Sequence, residues 1–254
     1  MHFFVIKSRT IKIVVLMTIV CLLLCIGING TASAEVFFGY STRKVPVYCV
    51  ETSEKQVAIS FDSAWGAEKT LGIIDILKEY DVSATFFLVG FWVDNYSDKV
   101  KAIDEAEIEI GCHSNTHPDM TKLSQEKVQE EIETCVNKIE KITDKKVTLF
   151  RAPFGAYNNT LIDTCEKLGL IPIQWDVDTL DWKGLSAAEM TNRVLKKVKN
   201  GSIVLMHNNS DNILDGLRMI LDRLKLQGYK ITSVGQLVYK TNYTVDRNGV
   251  QHTN

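Results

Sequence analysis

From residue 57 onward, short apolar runs alternate with longer segments of mixed polarity. The runs fall at 57–61, 84–89, 108–112, 147–150, 171–175 and 203–206, with a weaker one near 230–234. Each is bounded by polar residues or glycine and is largely apolar rather than alternating. That pattern predicts strands buried on both faces of a parallel sheet. The intervening segments carry helical spacing. In 66–80, Leu71, Ile74 and Leu77 share one face, and after Ser124 the residues Val128, Ile132, Val136 and Ile139 recur at helical intervals. Segments 158–168, 186–199 and 211–226 behave alike. Ser186 with Glu189 predicts a capping box, and Gly169 and Gly228 stand where helix C-caps belong.

Seven strands alternating with helices imply an α/β fold with a parallel sheet. A closed or nearly closed barrel is the preferred arrangement over a doubly wound sheet. The pattern divides the chain into a lead-in at 35–56, one domain at 57–240 and a polar, peripheral tail at 241–254. No repeat or interdomain linker interrupts it.

With 254 residues, 45% hydrophobic and 24% charged, the chain suits one globular domain with a full core. The first 34 residues hold Lys7, Arg9, Lys12 and no acidic residue, which leaves 26 basic against 31 acidic side chains in the remainder. A mildly acidic body argues against a nucleic-acid partner, because such binding depends on neutralising phosphates. The N-terminal basic residues precede an apolar run at 13–28 and then Ala32-Ser33-Ala34, the three-part layout of a secretory signal peptide. An uncleaved membrane anchor formed by residues 1–34 is the alternative. Either way the protein is exported. Cys49, Cys112, Cys135 and Cys165 are scattered without a CxxC pair, and read as small buried apolar residues rather than a zinc set.

The unusual polar residues cluster at strand ends. Asp62 follows the first strand, His113 the third, Arg151 the fourth, Asp176 and Asp178 the fifth, and His207 the sixth. In α/β barrels these ends converge on one face, where active sites are built. His113 and His117, four apart, can grip one metal ion from a single helical turn. Asp62 suits a helix N-cap or a general base, and Arg151 a structural ion pair or the cation that holds that base. The acidic stretch Asp178 to Asp181 with Trp182 suits a turn, or a histidine-orienting carboxylate beside a sugar-stacking indole.

Taken together, Ser60-Phe61-Asp62-Ser63, His113-Ser114-Asn115-Thr116-His117, Arg151-Ala152-Pro153-Phe154, the stretch from Asp178 to Trp182, and Leu205-Met206-His207 resemble, in order, the five motifs of the polysaccharide deacetylase (NodB-homology) family. The resemblance implies a distorted (β/α) barrel and metal-dependent hydrolysis of N-acetyl groups on amino sugars. It implies Asp62 as catalytic base positioned by Arg151, His207 as general acid oriented by Asp181, and His113 and His117 as ligands of a divalent metal, Zn2+ by preference. Phe154 would contribute to the oxyanion site, and Trp182 and Leu205 would wall the acetyl pocket. Ser63 departs from the family pattern, which has a third metal ligand, an aspartate, there. The surrounding stretch from Phe61 to Gly66 resembles the branch linked to endospore formation, which implies a peptidoglycan substrate in the spore envelope. The partner expected is thus a polysaccharide, met by a monomer.

Overall fold

The computed structural model describes residues 12–20 and 43–254. Residues 12–20 are helical and form a unit separate from the body at 44–254. Most of the segment read as signal or anchor lies outside the described residues. Among those described, no helix is long and apolar enough to cross a membrane.

All seven anticipated strands form. They are β2 (Gln56–Ser63), β3 (Thr85–Leu88), β4 (Glu109–Cys112), β5 (Leu149–Arg151), β6 (Ile171–Ile173), β8 (Ile203–His207) and β9 (Lys230–Thr232), where β1 and β7 are the two short strands described next. β7 (Val177–Asp178) is a two-residue strand on β8, too short to register as an apolar run. The sheet runs β6-β5-β4-β3-β2-β8-β7, with every pairing parallel. β9 pairs with Gln56–Ala58 of β2, while β3 takes Ser60–Ser63. The sheet is curled into the expected distorted (β/α) barrel.

The remaining gap is bridged by the lead-in. Val47 pairs with Ile173 of β6, and Cys49, in β1 (Cys49–Val50), pairs with Ser202 at the start of β8. The segment after Lys240 differs from the peripheral tail anticipated. It forms the hairpin β10 (Tyr243–Val245) and β11 (Val250–Thr253), and β11 pairs in parallel with β1. Gln251 within it is fully buried and exchanges hydrogen bonds with Tyr239 in both directions.

The helices pack outside. α1 (Thr70–Glu79) follows β2, and α2 (Gly90–Asn95) and α3 (Ser97–Glu105) follow β3. α4 (Gln125–Thr143) is capped by the Ser124 side chain and α5 (Asn159–Lys167) by that of Asn158. α6 (Ala187–Lys197) opens with the Ser186/Glu189 capping box, and α7 (Ile213–Leu226) and the short α8 (Val234–Leu237) complete the set. α2 and α3 carry no clear sequence signal because Tyr96, at φ −132° and ψ 44°, breaks the period between them. Gly169 and Gly228 adopt φ of 72° and 81°, as C-cap glycines do. The four cysteines of the body are buried free thiols, as their scatter suggested.

Candidate active site

Register assembles the site. In the β2–β8 pairing Asp62 stands opposite His207, and Cys112 of β4 stands opposite Phe150 of β5, so that His113 and Arg151 emerge side by side. Asp62 Oδ1 accepts a 2.7 Å hydrogen bond from Arg151 Nη1. The guanidinium is fully buried, donates to the Gln174 carbonyl at 3.1 Å, and lies 4.1 Å from the Phe87 ring centroid and 5.5 Å from that of Trp175. Burial alone would raise the Asp62 pKa. The positive charge of Arg151, together with its hydrogen bond, outweighs burial and leaves it lowered, so the carboxylate is ionised.

His113 Nδ1 lies 2.8 Å from the Arg151 carbonyl oxygen. A carbonyl only accepts, so Nδ1 carries the proton and Nε2 keeps its lone pair. Nε2 is 3.6 Å from Asp62 Oδ2. Burial lowers the His113 pKa, and burial with the nearby His113 pushes His117 down to about 4, so both imidazoles are neutral near pH 7. Their rings meet at 5.0 Å between centroids.

They do so from a loop, not from the helical turn that the spacing suggested. Ser114 and His117 sit at positive φ (69° and 59°). Ser114 Oγ accepts from His117 N at 3.0 Å, and the Glu131 carboxylate of α4 accepts from the backbone of Asn115 and Thr116. Phe154 (φ 59°) and Leu180 (φ 54°) are two further non-glycine residues in this region of the map, both beside the same site. Such conformations cost about 1–3 kcal/mol each and persist where surrounding contacts enforce them.

Across the site, His207 Nδ1 donates to Asp181 Oδ1 at 2.8 Å. Asp181 Oδ2 accepts from His207 N at 2.7 Å and Ser210 Oγ at 2.9 Å. Burial opposes protonation of His207, but the Asp181 hydrogen bond and charge outweigh it and raise its pKa. The imidazole keeps Nε2 for the cavity and tends to hold its proton.

Asp62, His113, His117, Phe154, Asp181, Trp182, Leu205 and His207 all line one cavity of about 820 Å³, and Arg151 stands behind Asp62. Two strand-end carboxylates behave differently. Asp178 lines the cavity, with Oδ1 closing a turn onto Leu180 N, whereas Asp176 accepts from Ser202 Oγ and Ile203 N and serves the backbone. Asp62 caps no helix, because the N-cap of α1 is Lys69. Trp65 and Asn208, to which the motifs assign no role, also line the cavity; Trp65 follows a strand end, the signal that marks the other site residues.

Ser63 is fully buried, and its Oγ has no hydrogen-bond partner. Among the described residues, no three His, Cys, Asp or Glu side chains are grouped as a metal cluster. The donors that are present, neutral His113 and His117, with His113 Nε2 facing the Asp62 carboxylate, suit a divalent ion completed by water and held loosely for want of a third protein ligand.

The polysaccharide deacetylase family model matches residues 50–173. Over 205 residues the chain is 33% identical to a peptidoglycan-N-acetylglucosamine deacetylase of Bacillus cereus, covering 79% of this chain and 93% of that one. It is also 33% identical over 201 residues to the uncharacterized protein YlxY of Bacillus subtilis, covering 79% of this chain but only 63% of that longer protein. Among solved structures, the CE4 family pseudoenzyme BA3943 of Bacillus anthracis superposes with a TM-score of 0.75 at 33% identity, covering 83% of this chain and 73% of that one. A BA3943 mutant described as having restored enzymatic activity superposes equally well, at 36% identity.

Proposed function

The chain belongs to the polysaccharide deacetylase family, and from that membership we propose that it removes N-acetyl groups from amino sugars of a cell-wall polysaccharide outside the cytoplasm, spore-cortex peptidoglycan being the substrate of choice. One observation carries this reading. An ionised carboxylate clamped by Arg151 and an imidazole held by Asp181 stand in register on adjacent strands and open on one cavity. Binding a sugar requires neither a base nor an acid; hydrolysing an amide requires both.

In the proposed reaction, Asp62 takes a proton from water as its oxygen bonds to the acetyl carbon. Arg151 keeps the carboxylate ionised and aimed. The backbone N–H of Phe154 donates to the oxyanion that forms, and Trp182 with Leu205 walls the acetyl methyl. As the C–N bond breaks, His207 Nε2 gives its proton to the departing amine, and Asp181 stabilises the imidazole throughout. The products are acetate and a free amino sugar. A divalent ion held by His113 and His117, Zn2+ by imidazole preference, would polarise the acetyl carbonyl and acidify a bound water.

Ser63 favours a second reading, a glycan-binding protein that has lost turnover, and the pseudoenzyme relative lends it weight. Acetate release from spore peptidoglycan and chitooligomers, measured with the metal content of the purified protein and again with added Zn2+, separates the two. Acetate production supports the enzyme. Glycan binding without acetate under either condition overturns it.

A further inference from the structure

Six large apolar side chains of the body are exposed: Trp65, Leu71, Phe154, Trp182, Met219 and Leu226. Only the three aromatic ones line the catalytic cavity, and Trp65, at 66% exposure, has no part in the chemistry above. A tryptophan left this exposed on a soluble surface marks a contact site when it is also held still.

Trp65 is held still. The Gly66 carbonyl accepts from Trp92 Nε1 at 2.7 Å and from Asn208 Nδ2 at 2.9 Å. Gly66 itself has φ +67°, a conformation that favours glycine. Lys69 pins the far side of the loop through Asn209 Oδ1 and the carbonyls of Ser210 and Asp211. The indole rests edge-on against His117 at 4.9 Å between centroids and tilted against Phe91 at 6.3 Å. The cavity at its foot, about 820 Å³, is larger than one N-acetylhexosamine fills.

We propose that Trp65 is a specificity residue: a fixed stacking platform for the apolar face of the sugar next to the one being deacetylated. The inference rests on the function proposed above and adds to it the residue that binds the neighbouring sugar of the chain. An indole offers a broad apolar face at small cost in conformational entropy, and its rigid seat lowers that cost further.

The test is calorimetric titration of the full chain and its Trp65→Ala and Trp65→Phe variants with N-acetylglucosamine and with its β-1,4 tetramer. The expected result is a fall of about tenfold in the tetramer-to-monomer affinity ratio for Trp65→Ala, with most of the ratio kept in Trp65→Phe. Matching thermal midpoints exclude misfolding as the cause. An unchanged ratio in Trp65→Ala overturns the platform while leaving the proposed function standing. Failure of the unaltered chain to bind the tetramer overturns both.

Discussion

Replacing Arg151 with Met should destabilise the protein in a way that depends on pH, with a sign opposite to that of the native pair. Arg151 is fully buried and Asp62 is 7% exposed, so the substitution leaves a carboxylate in an apolar site without its cation. Removing one member of such a pair costs about 3–5 kcal/mol. For a domain of this size that corresponds to a fall of roughly 6–20 °C in thermal midpoint at pH 7. In the native protein the folded pKa of Asp62 is lowered. The pair therefore contributes stability above the unfolded carboxylate pKa of about 4, and that contribution is lost as pH falls through the lower folded value. In Arg151→Met, burial dominates and the folded pKa moves above the unfolded one. Asp62 then takes up a proton on folding, and the variant loses stability as pH rises through the raised value. The deficit relative to native should be largest near pH 7 and shrink toward pH 4. Urea denaturation from pH 4 to pH 8, with the slope checked for constancy, measures it. Adding Asp62→Asn should recover much of the loss at pH 7. An equal deficit at both ends of the range, or no recovery in the double variant, would refute the claim that an unpaired charge is the cause.

Ser63→Asp should tighten Zn2+ binding by adding a charged oxygen donor, and it should destabilise the metal-free protein, since a fully buried carboxylate would lack a partner. Unchanged zinc affinity by titration would mean that residue 63 faces away from the imidazoles. His207→Ala should abolish acetate release while metal content stays constant; a parallel loss of metal would make His207 a ligand instead of an acid. Asp181→Asn should lower the His207 pKa, because burial is then opposed only by the weaker influence of the Asp62 and Asp178 charges. Proton NMR titration of the imidazole reads this directly, without turnover, and a pKa that stays raised would show that Asp181 is not what holds the proton.

Much of the sheet was legible because parallel strands covered on both sides read as unbroken apolar runs, and the helix starts at Ser124, Asn158 and Ser186 were legible because capping is local chemistry. The site was legible for a related reason. Strand ends are marked by the first polar residue after each run, so Asp62, His113, Arg151 and His207 announced themselves. What escaped depends on tertiary geometry. β7 exists because β8 offers it an edge, and the meeting of His113 with His117 depends on two left-handed residues and on Glu131, 14 positions beyond His117. Whether Trp65 is buried or presented is decided by Asn208 and Trp92, far off in sequence.

The pairing of β1 with β11 has a consequence for the order of folding. The barrel's seam is closed by Val47 and Cys49, and their strand is backed by residues near the C-terminus. Contacts that span nearly the whole chain form late, because the loop they close is the longest available. A chain emerging from its N-terminus can build β2 to β9 in turn, yet β1 gains its parallel partner only once the hairpin at 243–253 is made. Until then β1 lacks its parallel partner, so aggregation should be sensitive to the hairpin at 243–253, well away from the catalytic strands.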